Sequence, residues 1–174
     1  MDDGSPADFI VLIVFLILGG AYFAATETAL ASANRIRMMS LADNGDKRAR
    51  RVLYILDHFD KALTTILIGN NIMHIGCASV ATLMATKLWG MSAVTATTVV
   101  TTMVVFLAAE MLPKRFAKAC SEKLALGVSG SLLFLMKLFT PVAAMFTYLG
   151  DLVKRPFKKR AAEEPTVTEE ELYD

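Results

Sequence analysis

The sequence predicts an all-α integral membrane protein with three transmembrane helices, and three observations indicate this fold class. Of the 174 residues, 55% are hydrophobic, and the mean hydropathy is +0.48, well above that of a typical soluble domain. Charged residues are absent from three long stretches of 18, 25 and 22 residues, at 9–26, 62–86 and 88–109. A spanning helix needs about 20 predominantly apolar residues, so each stretch accounts for one span.

Several other classes of protein are excluded by what the sequence lacks. The N-terminal stretch "MDDGSPAD" is acidic, whereas a secretory signal peptide opens with basic residues, so we expect this segment to be retained. Cys77 and Cys120 are isolated and indicate no disulfide or zinc framework. No nucleic-acid-binding motif is present, so no nucleic-acid partner is expected. An enzyme is not predicted either, because His58 and His74 have no recognisable catalytic partners.

The distribution of basic residues predicts the orientation of the spans. Residues 35–61 contain seven Lys or Arg, 114–123 contain four, and the link at 87–91 contains only Lys87. Basic residues near span ends mark the cytoplasmic side. The sequence therefore predicts a multi-pass protein of the plasma membrane, with an extracellular N-terminus and a cytoplasmic C-terminus.

A cytoplasmic juxtamembrane helix is predicted between the first two spans. The "DNG" triplet at 43–45 indicates a turn, and Asp46 is a suitable helix cap. The apolar residues that follow fall on one face of a helix. These residues are Val52, Ile55, Leu56 and Phe59.

The apolar stretch 124–153 has two interpretations. A fourth span would place the basic cluster 154–160 outside the cell, against the positive-inside rule. We therefore expect helices lying along the cytoplasmic side of the membrane and broken near Pro141. The membrane domain with its juxtamembrane helical belt is predicted to cover 1–160, and 161–174 is expected to be an acidic linker.

Glu110 is the most unusual residue of the third span. It follows 22 uncharged residues and lies about 33 Å from Leu88 along an ideal helix, near the inner edge of the bilayer. Pro113 lacks the N–H that would bond the carbonyl of Ala109, so we expect a break in the helix and a freed carbonyl oxygen beside Glu110. Interrupted helices of this kind line ion sites in transporters.

Polar residues from all three spans are predicted to lie at similar depth. Thr26 lies near the cytoplasmic end of the first span, and Asn70 lies about 13 Å from the cytoplasmic start of the second. His74 is four residues from Asn70 and shares its helix face, while Gly69 exposes its backbone carbonyl. Together with Glu110, these residues form a candidate cation site, which we expect to open toward the cytoplasm.

Each of these residues also has a purely structural explanation. Asn70 could hydrogen-bond between helices, and Thr26 could hydrogen-bond its own backbone. Glu110 could pair with Lys114, four positions later. Lys114 could alternatively face lipid phosphates or pair with Glu27.

The chemistry of the candidate ligands limits the ion. Hydroxyl, amide, carboxylate and carbonyl oxygens suit magnesium, calcium or sodium, whereas the imidazole of His74 favours transition metals. Thr95, Thr98 and Thr102 share one face of the third span. Helix packing explains these threonines about as well as an ion path does.

The sequence resembles the transmembrane domain of the CNNM (cyclin M) and CorB/CorC family over roughly residues 8–174. Four ordered segments carry the resemblance, namely "FAATETALASANRIR" (23–37), "GDKRARRV" (45–52), "TTILIGNN" (64–71) and "EMLPK" (110–114). The resemblance implies a homodimer in the lipid bilayer, with three spans per subunit. It also implies Mg²⁺ export driven by inward Na⁺ flow, and regulation by a cytoplasmic CBS-pair module that binds ATP. The segment "VTEEEL" is expected to approach that module, which lies outside this sequence.

The resemblance assigns a role to several residues. Glu110 corresponds to the family's essential acidic ligand, and Gly69 and Asn70 correspond to its glycine–asparagine pair. The family usually has serine at the positions of Ala24 and Thr26. Thr26 keeps the hydroxyl group, whereas Ala24 lacks it. His74 stands where asparagine is usual. The predicted metal site is therefore Thr26, Gly69, Asn70, His74 and Glu110.

Two functions from different classes are compatible with this sequence. The first is transmembrane transport of Mg²⁺, as export coupled to Na⁺. The second is a membrane-embedded Mg²⁺ sensor or scaffold that acts on other transporters through the CBS module. A helix break beside Glu110 favours transport, because a purely structural ion site would not need it.

Overall fold

The computed structural model describes residues 5–142, and all regular secondary structure in that range is helical. A 3-10 turn, Met91–Ala93, and a π-helical segment, Val105–Met111, accompany seven α-helices. The chain divides into two units, the first ending at Lys137 and the second starting at Leu138. The α-helices are α1 (Pro6–Ala31), α2 (Arg35–Asp43), α3 (Lys47–Asp57), α4 (Phe59–Trp89), α5 (Val94–Val104), α6 (Leu112–Ala119) and α7 (Ser121–Leu138).

Three helical stretches among the described residues are long and apolar enough to cross a membrane. They are Pro6–Ala31, Phe59–Trp89 and Met91–Ala119, so the third span comprises the 3-10 turn, α5, the π segment and α6. The predicted all-α class and the three spans are confirmed. The predicted domain boundary at residue 160 lies outside the described residues.

Local capping explains where α1 begins. The Ser5 hydroxyl accepts a hydrogen bond from the Asp8 N–H, and the Asp8 carboxylate accepts one from the Ser5 N–H at 2.8 Å. This reciprocal pair satisfies two backbone donors that the first turn leaves free. Pro6 occupies the first turn, where its missing N–H costs nothing.

The predicted amphipathic juxtamembrane helix is confirmed as α3. Asp46 caps it by accepting hydrogen bonds from the N–H groups of residues 48 and 49. Gly45 has a φ of 93°, which an L side chain rarely adopts, and so permits the turn that precedes this cap. The face containing Val52 and Ile55 is buried in the core.

Helices α1 and α4 pack antiparallel through glycines. A Cβ atom on Gly69 would lie 2.2 Å from the Phe23 ring, and one on Gly76 would lie 3.3 Å from Leu16. Gly19 and Gly20 of α1 approach Met73 and His74 of α4 in the same manner. Small residues at these positions allow the two backbones to approach closely, which is the usual basis of helix association in membranes.

Helix α7 lies beside the C-terminal part of α1. The Ser121 hydroxyl donates to the Ser32 carbonyl at 3.4 Å, and ten residues later Ser131 is 2.7 Å from the Tyr22 hydroxyl. Over this stretch α7 therefore runs beside α1. That the stretch lies along the cytoplasmic side of the membrane stays a prediction. In the second unit, the residue after the end of α7, at position 139, forms a turn. This turn confirms the expected helix break near Pro141.

We predict that Gly69→Ala destabilises the fold by overpacking. The new methyl group would overlap the ring of Phe23, which is 4% exposed and cannot move freely into solvent. A loss of about 1–3 kcal/mol is expected from such overpacking. Thermal unfolding in detergent measures it, with Gly127→Ala as the matched control, because a Cβ there meets no atom within 4 Å. Equal stability of the two variants would contradict the close packing described here.

Candidate cation site

Glu110 lies in the π-helical segment of the third span. The Leu112 N–H donates to the Leu107 carbonyl, a separation of five residues instead of the four of an α-helix. Such π segments are rare and occur frequently at functional sites. The break expected beside Pro113 is therefore a change of helical pitch and not an unwound stretch. Pro113 itself lies in the first turn of α6, where a proline is tolerated.

The carboxylate of Glu110 faces His74 of the neighbouring span. Glu110 Oε1 lies 3.6 Å from His74 Nδ1, and the two side chains are 32% and 21% exposed. The third span thus presents its carboxylate to the polar face of α4. This contact brings together two of the site residues predicted from the sequence.

Gly20 lies at the point where α1, α4 and the π segment meet. A Cβ at Gly20 would lie 3.0 Å from His74 Nε2 and 3.2 Å from the Cβ of Ala109. Since glycine has no Cβ, the imidazole and the π segment can both approach α1. Gly20 was not predicted from the sequence, although the Gly19–Gly20 pair inside an apolar helix was an available signal.

Two polar atoms close to this point have no hydrogen-bond partner among the described residues. They are His74 Nε2 and Asn70 Oδ1, and both atoms are buried. Buried polar atoms nearly always have a partner, which is often an ordered water or an ion. Asn70 lies one turn before His74 on α4, so both atoms belong to the same face.

Thr26 and Gly69 are placed in the closed packing between helices. Thr26 is fully buried, and its hydroxyl donates to the Tyr22 carbonyl at 2.7 Å. Six residues of α1 separate Thr26 from Gly20, which corresponds to about 9 Å along the helix. Gly69 is buried against the Phe23 ring. The structure therefore brings His74 and Glu110 into contact, while Thr26 and Gly69 contribute to α1 packing.

Lys114 does not neutralise Glu110. Its ammonium nitrogen lies 3.4 Å from Glu27 Oε2 of α1, so the pairing of Lys114 with Glu27 is the alternative that the structure adopts. This ion pair connects α6 with the C-terminal part of α1. It leaves His74 as the basic side chain next to Glu110.

A cavity of about 760 Å³ extends from Glu110 and His74 between α4 and the third span. From this contact it extends toward the α4–α5 connection. The expected opening toward the cytoplasm stays a prediction. Its polar lining consists mainly of hydroxyl groups, and its apolar lining includes Leu83, Val105 and Phe106. The hydroxyl residues are Ser79, Thr82, Thr98, Thr101 and Thr102.

The donor set of this region differs from that of a transition-metal centre. Within residues 5–142, no group of three or more His, Cys, Asp or Glu side chains is arranged to hold a metal ion. Zinc and related metals are typically held by three or four such side chains. A single carboxylate with amide and hydroxyl oxygens is better suited to a hard cation that keeps part of its water shell.

Residues 11–174 match the model of the cyclin M transmembrane N-terminal domain. The chain belongs to this cyclin M (CNNM) family. The resemblance found in the sequence is thereby confirmed. The family placement and the three apolar helices make this cyclin M domain a membrane protein.

Several curated relatives are similar to this cyclin M domain over most of its length. A UPF0053 protein of Haemophilus influenzae is 33% identical over 165 residues, which cover 94% of this chain and 39% of that protein. The UPF0053 inner membrane protein YfjD of Escherichia coli is 33% identical over 135 residues, covering 78% of this chain and 32% of that protein. A polyamine export protein of Haemophilus influenzae is 29% identical over 177 residues, which cover 94% of this chain and 41% of that protein. The chain thus spans less than half the length of these relatives.

We predict that Gly20→Ala disturbs the junction of α1, α4 and the π segment. The new methyl group would press on the His74 ring and on Ala109, which is fully buried, at a cost of about 1–3 kcal/mol. Gly19→Ala is the matched control, because its methyl group would meet only the flexible Met73 side chain. Thermal unfolding of Gly20→Ala, His74→Ala and the double variant should reveal a coupling of roughly 1 kcal/mol or more. Strictly additive effects would contradict direct contact between Gly20 and His74.

Proposed function

We propose that this cyclin M domain is the membrane-embedded part of a Mg²⁺ transporter, in which Glu110 binds the cation during export. The supporting observation is the position of Glu110 at the end of a hydroxyl-lined cavity in a membrane span. The ammonium group one turn away, on Lys114, is engaged by Glu27. The negative charge of Glu110 is therefore available to a mobile cation.

The donor set supports a cation that remains largely hydrated. Mg²⁺ sheds water reluctantly and is usually bound through one or two carboxylates while it keeps several waters. Glu110 supplies the carboxylate, and the hydroxyl oxygens that line the same cavity supply acceptors for bound water. The cavity of about 760 Å³ is ample for such an ion, since a water molecule takes up about 30 Å³ of the liquid.

The family resemblance motivates a proposal for the wider assembly. We propose that the domain is a homodimer in the plasma membrane and that inward Na⁺ flow drives Mg²⁺ export. An ATP-binding CBS pair on the cytoplasmic side would regulate this exchange. Residues 161–174 would connect the membrane domain to that module.

A second candidate cargo is an organic polycation. The relatives named polyamine export protein, from Haemophilus influenzae and Escherichia coli, motivate this alternative. The part of α4 that lines the cavity, from His74 to Leu83, is about 14 Å long at the α-helical rise. An aliphatic chain could lie against Val105 and Phe106 while one ammonium group binds Glu110.

We predict that Glu110→Gln abolishes Mg²⁺ flux in proteoliposomes under an opposing Na⁺ gradient. The amide removes the negative charge but keeps the shape of the side chain, so folding should be preserved. Glu27→Gln is the matched control, because Glu27 also lies on a span but pairs with Lys114 outside the cavity. Flux is followed with a Mg²⁺-sensitive dye, and spermidine is added as a competitor.

Each outcome of this experiment separates the hypotheses. Flux that is lost in Glu110→Gln and retained in Glu27→Gln supports the transporter. Strong inhibition by spermidine, with spermidine itself transported, would favour the organic polycation. Mg²⁺ binding by the unaltered chain without any flux would favour the sensor or scaffold, and unchanged flux in Glu110→Gln would refute the role of Glu110.

We predict that His74→Asn weakens inhibition of Mg²⁺ flux by Co²⁺ or Zn²⁺. Imidazole binds these metals well, whereas an amide oxygen suits hard cations, and His74 Nδ1 lies 3.6 Å from Glu110. Mg²⁺ flux itself should persist, since asparagine is the usual residue of the family at this position. The inhibition constants of both metals are compared in the two proteins. Identical constants would place His74 outside the cation site.

A further inference from the structure

We propose that the cation passes between Glu110 and the extracellular side through a hydrated route between α4 and α5. The route is the cavity lined by the hydroxyl groups of Ser79 and Thr82 on α4 and of Thr98, Thr101 and Thr102 on α5. The identity of the cargo rests on the proposed function. The existence of a hydrated route does not.

The spacing of the hydroxyl groups extends the route away from Glu110. Ser79 and Thr82 are separated by three residues, and Thr98 and Thr102 by four, so each pair lies on one face of its helix. Thr82 lies eight residues beyond His74, which corresponds to about 12 Å along α4. The hydroxyl groups thus continue from the Glu110–His74 contact toward the α4–α5 connection, which the charge distribution predicts to be extracellular.

The hydrogen bonds of these hydroxyl groups determine what they offer to the cavity. Ser79 and Thr82 donate to the carbonyls of residues 75 and 78 at 2.9 and 2.8 Å. Thr98 and Thr102 donate to the carbonyls of residues 94 and 98 at 2.9 and 2.8 Å. Their protons are therefore engaged, while their oxygen lone pairs remain available as acceptors. Acceptors of this kind match the water shell of a cation, whose protons point outward.

Glu110 indicates that the cavity contains water and not lipid chains. Hydroxyl groups bonded to their own helix are tolerated against lipid, so they do not decide the question alone. A carboxylate is different, because placing a charge against hydrocarbon costs several kcal/mol. Glu110 is 32% exposed and lines the same cavity. A roomy cavity whose largely apolar lining contains several hydroxyl groups and a carboxylate meets the conditions for bound water.

Cysteine accessibility tests the route independently of the cargo. In a background of Cys77→Ala and Cys120→Ala, single cysteines are introduced at Ser79, Thr98 and Val99 in the full chain in proteoliposomes. Val99 is the matched control, because it neighbours Thr98, is 58% exposed and does not line the cavity. A cationic, membrane-impermeant thiol reagent is added from the extracellular side. It should modify positions 79 and 98 at least about ten-fold faster than position 99, which corresponds to a difference of about 1.4 kcal/mol in activation free energy.

Slow modification at all three positions overturns the route, because lipid or a second copy of the chain would then fill the cavity. Equal and fast modification also overturns it, since water would reach α5 from every side. Neither result affects the role of Glu110, which the Glu110→Gln flux measurement tests separately.

The paired substitution Thr98→Val and Thr102→Val tests the role of the hydroxyl groups. Valine keeps the shape of threonine but removes its acceptor, so Mg²⁺ flux should fall about ten-fold, the factor expected for one lost hydrogen bond. Equilibrium Mg²⁺ binding should stay unchanged, and Thr→Ser at both positions should restore flux. Thr97→Val is the matched control, because Thr97 lines a different cavity. Unaltered flux in the double valine variant overturns the proposal.

Discussion

The close approach of α1 to α4 is the constraint on which the rest of the site depends. Between membrane helices there is no hydrophobic driving force, so close packing and polar contacts must hold them together. Gly69 admits the Phe23 ring, and Gly20 admits the His74 imidazole together with Ala109 of the third span. A larger residue at Gly20 would push α4 and the π segment away from α1. The contact between His74 and Glu110 exists because those two segments meet there.

Features that depend on local sequence were predictable. The three spans follow from the lengths of the uncharged stretches, and α3 follows from a cap at Asp46 and the apolar spacing of Val52 and Ile55. Glu110 could be selected because a carboxylate at the end of a span is costly wherever its neighbours lie. The family placement was equally accessible, since the segments that carry the resemblance are continuous in the sequence.

Features that depend on which faces meet were not predictable. Depth along an ideal helix placed Thr26 level with Glu110, but depth does not determine direction, and the Thr26 hydroxyl bonds to its own helix. The cavity arises from the meeting of two spans, so neither span alone predicts its direction. Pro113 indicated a disturbance of the helix but not its form, because the lost hydrogen bond can be accommodated by unwinding or by a change of pitch.

The π segment means that the third span consists of two helices that differ in phase. On a regular wheel of 100° per residue, Ala109 would fall within about 20° of Thr98, and Glu110 about 120° away. Yet Glu110 lines the cavity with Thr98, while Ala109 is buried toward α1. The additional residue in the π turn produces this exchange. The number of residues in 105–111 therefore fixes the rotation of α6 relative to α5 about the axis of the span. Deleting one residue there would change that rotation, whereas a substitution leaves the number of residues unchanged.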